Sequence, residues 1–152
     1  MKKLKRWQRN LIIICAVFAL LLAVFGPALW SALCYVGAGV YEANWGLAMP
    51  DGIKELYRTD SGASFHGDGY RYAVYDYPEP DEEFDSLLNA GADEYIGERF
   101  SEIADELGVP EGERPDLGAD FSWRVGRRPF DERDKLYIIS QGGKLYVAEL
   151  FM

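Results

Sequence analysis

Between Arg9 and Glu42 the chain carries no charged side chain, and from Leu11 to Phe25 (LIIICAVFALLLAVF) every residue is apolar. A helix of about 20 such residues spans the hydrocarbon core of a bilayer. Continuing through Gly26 and Pro27 to Leu33 extends the span, with Trp7 at one end and Trp30, Tyr35 and Tyr41 at the other, placed like interfacial aromatic belts. The expectation is one transmembrane helix over residues 11–33, kinked where Pro27 removes a backbone donor. Lys2, Lys3, Lys5, Arg6 and Arg9 precede it without an acid, so the positive-inside rule keeps residues 1–10 in the cytoplasm as a basic tail. Residues 34–50 then read as an interfacial connector and 51–152 as an extracytoplasmic domain, giving a single-pass, signal-anchored protein of the cell membrane.

Two competing readings of the N-terminus fit less well. A cleavable signal peptide has an apolar core of about 7–15 residues followed at once by its cleavage site, whereas the small-residue site Val36-Gly37-Ala38 lies well past Phe25. A lipid-modified Cys34 would need a small residue before it, and Leu33 stands there. Cys15 and Cys34 are too far apart along one helix to pair, and no other cysteine exists. The domain beyond residue 50 is thereby denied disulfides, thiolate catalysis and zinc–cysteine sites.

The whole chain sums to −9, with 25 Asp and Glu against 16 Lys and Arg; the five N-terminal cations leave −14 on the remainder. With 49% hydrophobic residues the chain has enough apolar side chains for a core, which excludes a disordered polyanion. So acidic a domain is a poor match for nucleic acid and a good one for a cationic protein or peptide.

Alternating and β-branched or aromatic runs predict strands over residues 53–59, 70–77, 121–125, 136–140 and 144–150. Gly142-Gly143 between the last two permits the positive φ angles of a tight hairpin. From Asp81, a good N-cap, to Leu107, apolar residues recur at three- and four-residue intervals. That stretch reads as a kinked helix or two short helices meeting near Gly91, stopped by Gly108 and Pro110. The order is ββαβββ, an α+β domain with a small antiparallel sheet packed on one helical layer.

Residues 60–69 (DSGASFHGDG) hold the chain's single histidine. If extended, this stretch projects Ser64, His66 and Asp68 from one side, a hydroxyl, an imidazole and a carboxylate able to bind a polar ligand. Side chains two apart on a strand point in parallel, so they do not make a nucleophile triad, and the turn chemistry of Gly67-Asp68-Gly69 explains the same residues structurally. No catalytic residue, cofactor or metal site is implied, since the acidic run lacks the Asp-x-Asp-x-Asp-Gly spacing of a calcium loop. Among the aromatics, Tyr72, Tyr75 and Trp123 are candidates for a partner-binding face, because tyrosine and tryptophan are enriched at interface centres.

Phe65-His66-Gly67-Asp68-Gly69 ahead of an aromatic strand, with Lys144-Leu145-Tyr146-Val147 near the end, resembles a loose group of small, uncharacterised bacterial membrane-anchored or lipoprotein-like proteins. Gly62-Ala63-Ser64 stands where that group has a doubled glycine. The resemblance implies a shared loop and fold and no activity. Taken together, the sequence predicts a membrane-anchored binding protein with a cationic protein or peptide partner. The alternative is a ligand- or metal-dependent sensor or enzyme centred on Ser64, His66 and Asp68, and a third reading is neutralisation of a cationic toxin.

Overall fold

Two glycines organise the C-terminal half of the protein. Gly142 and Gly143 take φ of 59° and 74°, the left-handed values that a two-residue hairpin needs, and so register β5 (Lys135–Gln141) against β6 (Lys144–Phe151). The computed structural model describes residues 38–62, 68–128 and 131–152. Within it β6 also pairs along its whole length with β2 (Gly69–Asp76), which carries β1 (Lys54–Asp60) on its other edge. On the far side β5 pairs with β4 (Ser122–Arg127), and β4 with the two-residue β3 (Asn89–Ala90). All pairings are antiparallel, in the order β1-β2-β6-β5-β4-β3.

Alternation along these strands creates two apolar faces, and each is covered. Tyr72, Val74, Tyr137, Ile139, Tyr146 and Ala148 point to one face, where helix α3 (Glu94–Glu106) lays down Ile96, Phe100, Ile103 and Ala104. Tyr72 and Phe100 meet edge to face with ring centroids 5.9 Å apart. Ala73, Tyr75, Leu136, Ile138, Leu145 and Val147 point the other way, under helix α1 (Gly39–Trp45) and helix α2 (Glu82–Asp85). α1 contributes Tyr41 and Trp45, and α2 contributes Phe84.

The expected architecture, a transmembrane helix followed by ββαβββ on one helical layer, is corrected by this fold. The sheet has six strands, and helices cover both of its faces. The stretch read as helical from Asp81 to Leu107 is divided by β3 and by Gly91 at φ 89°. Asp81 does cap α2, accepting from the Glu83 and Phe84 backbone amides, but only four residues follow before the chain turns into the sheet edge. Asp93 caps α3 afresh through the Ile96 amide. Among the described residues no helix is long and apolar enough to cross a membrane. Residues 11–33, on which the transmembrane and signal-anchor expectation rests, lie outside the described residues, so the described fold contains no such helix. The compact unit runs from Ala38 to Met152, and α1, inside the stretch read as a connector, packs on the sheet.

Candidate functional site

Charge is segregated along the folded unit. Residues 76–120, which contain α2, β3 and α3, hold sixteen acids and only Arg99 and Arg114 as bases, a net −14. The remainder of residues 38–152 holds nine acids and nine bases. The whole imbalance of the domain therefore sits on one contiguous stretch, and α3 is its longest element.

Along α3, Glu94, Glu98, Glu102 and Glu106 recur every four residues and all are exposed. Residues so spaced follow one ridge that winds about 40° around the helix per step, about 6 Å apart along the axis at about 1.5 Å rise per residue. Like charges at this spacing repel, and each pair weakens an isolated helix by about 0.2–0.5 kcal/mol. Among the described residues only Glu102 of the four forms an ion pair, with Arg99 at 2.7 Å. Glu106 sits at the negative end of the helix dipole, where the last turn contains no basic residue. The nearby Arg114 is committed to closing the helix: it donates to the Val109 and Ala104 carbonyls at 2.7 and 3.2 Å and pairs with Asp105 at 2.5 Å.

The row runs between two clefts. One, of about 540 Å³, is lined by Asp93, Glu94 and Glu98 with Leu117 and Phe121, and no basic residue among those described lines it. The other, of about 440 Å³, includes Glu106 and Asp68 together with Tyr70, Leu150 and Phe151; Arg133 also lines it, its guanidinium paired with Asp131 at 2.9 Å. Each is lined by carboxylates together with apolar side chains. Among the described residues no group of three or more His, Cys, Asp or Glu converges as metal ligands.

Of the residues expected to bind a ligand, Ser64 and His66 lie outside the described residues, and Asp68 is exposed at the second cleft. The three aromatics expected at a partner face are not brought together. Tyr72 is 0% exposed beneath α3, where its hydroxyl donates to the Glu113 carbonyl at 2.8 Å. Tyr75 is 1% exposed on the opposite face, between Arg58 and the Tyr41 hydroxyl. Burial pushes both phenols above their usual range. Trp123 is half-buried at the β3 edge, and its indole N–H donates to the Gly91 carbonyl. Sequence reasoning misses the glutamate row, although its four-residue spacing is legible, because a run of acids on a helix reads equally well as its solvated face.

Compared with protein-family models, with curated proteins and with solved structures, the chain matches none.

Proposed function

We propose that the folded unit is a binding module for a cationic protein or peptide segment, engaged along the exposed carboxylate row of α3. The observation that supports this reading is the row itself. Four glutamates at successive four-residue steps add repulsion to the helix, and only Glu102 forms an ion pair among the described residues. A partner carrying cations about 6–7 Å apart would relieve that repulsion, and an extended strand with a basic residue at every second position has this spacing. Charge complementarity of this kind accelerates association and selects the partner by sign. The alternative centred on Ser64, His66 and Asp68 gains no supporting observation, since only Asp68 is described.

The test uses the full-length chain and a fluorescently labelled peptide of alternating lysine and serine, with a glutamate-for-lysine peptide as the control. Anisotropy should report binding of the cationic peptide alone, weakening as salt rises because exposed charges are screened beyond about 8 Å at physiological ionic strength. Glu98→Gln with Glu106→Gln should weaken it by about tenfold, the equivalent of about 1.4 kcal/mol. Equal binding by wild type and this double variant would refute the α3 row as the site.

A further inference from the structure

On the sheet face opposite α3, Glu149 of β6 is 1% exposed. Asp134 is the other buried acid among the described residues, and it is fully engaged, accepting from Arg128 and from the Met152 amide, each at 3.0 Å. Glu149 is not. One carboxyl oxygen accepts from the Trp45 indole N–H at 2.7 Å, and the other has no partner. In the sheet it lies between Arg71 of β2 and Leu136 of β5, and α1 closes over it with Trp45 and Tyr41.

The cations that face this pocket are engaged elsewhere. Arg58 of β1 is held by Glu55 and by the Tyr75 hydroxyl of β2. Arg71 lies over the Phe151 ring at 4.8 Å, and Arg128, after β4, pairs with Asp134. None of the ion pairs among the described residues reaches Glu149. The Tyr41 and Tyr75 hydroxyls, bonded to each other, add a polar but neutral wall. Burial raises the Glu149 carboxyl above its usual range, and the Trp45 hydrogen bond and the three arginines offset part of that rise.

α1 has seven residues, ends at Gly46 in the left-handed conformation with φ 63°, and is held by three side-chain hydrogen bonds, Trp45 to Glu149, Tyr75 to Tyr41 and Arg128 to Asn44, of which the first depends on the state of the Glu149 carboxyl. We infer that α1 is a proton-controlled clasp on this face of the sheet, closed while Glu149 carries its proton and loosened when Glu149 ionises, because opening returns the carboxylate to water. The sign follows from linkage. The closed form holds the proton more tightly than the open form, so closure is strongest below the open-form carboxyl pKa of about 4.3 and weakens as pH rises through the higher closed-form value. The Tyr41 and Tyr75 phenols, pushed up by burial, titrate above this window. The clasp is separate from the α3 row and stands whether or not that row binds a partner.

Hydrogen exchange on the full-length chain follows the clasp through the Gly46 and Leu47 amides, which donate to the Glu42 and Tyr41 carbonyls of α1 and lose protection when this seven-residue helix, too short to persist alone, leaves the sheet. After correction for intrinsic exchange, opening of this segment should increase as pH rises above the open-form carboxyl value of about 4.3, by no more than about tenfold per unit, and level off once the closed form also ionises. Amides of α3 should not follow it. Glu149→Gln should abolish the pH dependence; a slope unchanged in that variant, or absent from wild type, overturns the clasp. If Glu149→Gln fails to fold, Trp45→Phe keeps the carboxyl and should open more at every pH while retaining the slope. A flat profile there also overturns it.

Discussion

Replacing Glu98 and Glu106 with glutamine should stabilise the folded unit while weakening its binding to cations. The two substitutions remove all three like-charge contacts of the row, 94–98, 98–102 and 102–106, yet leave Glu94 at the positive end of the helix dipole and Glu102 beside Arg99. Each contact is worth about 0.2–0.5 kcal/mol, and removing Glu106 from the negative end of the dipole adds about 0.3 kcal/mol for an exposed group. Glutamine and glutamate have nearly equal helix propensities, so the backbone contribution cancels. The sum is a gain of about 1 kcal/mol at low salt, or about 4 °C in Tm for a domain of this size. Urea titrations of both proteins at low and at high salt would measure it, and the gain should shrink in salt because the repulsion is screened. A variant less stable than wild type, or a gain that salt leaves unchanged, would refute the claim that the row is electrostatically strained.

Arg114→Ala removes one hydrogen bond to the Ala104 carbonyl in the last turn of α3, one to the Val109 carbonyl just beyond it and one ion pair, and should cost about 1–3 kcal/mol in urea denaturation. Arg114→Lys cannot span the same three acceptors and should recover only part of the loss. Gly143→Ala meets no contact closer than 3.7 Å, so its cost should come from the left-handed backbone alone, about 1 kcal/mol by thermal melting; an unchanged Tm would show that the hairpin adopts another turn.

The β-strands were legible because their signals are local. Alternation and β-branched or aromatic content locate five of the six, and the double glycine before Lys144 marks the hairpin whose positive φ angles the structure contains. β3 was not legible. Asn89–Ala90 has no strand propensity of its own and is held by pairing with Trp123 and Ser122, residues far along the chain. Its presence divides a stretch whose apolar spacing, read alone, continues through it. Tyr72 and Tyr75 show the same limit in the candidate site: an aromatic strand announces burial or an interface equally well, and only a cover on each face decides for burial.

What the sequence determined by itself is where charge lies and where strands run. The −14 of residues 76–120 and the four-residue glutamate spacing are properties of covalent order, unaltered by folding. Tertiary structure decided which of those residues share a surface and which are hidden. Nothing near Glu149 in the sequence marks it as buried, since its neighbours Ala148 and Leu150 would flank an exposed residue of a half-buried strand equally well. It becomes buried because α1, more than a hundred residues earlier, packs on the same face and supplies a single indole N–H. Desolvation depends on what every neighbouring element covers, and that is a property of three-dimensional packing which no local pattern encodes.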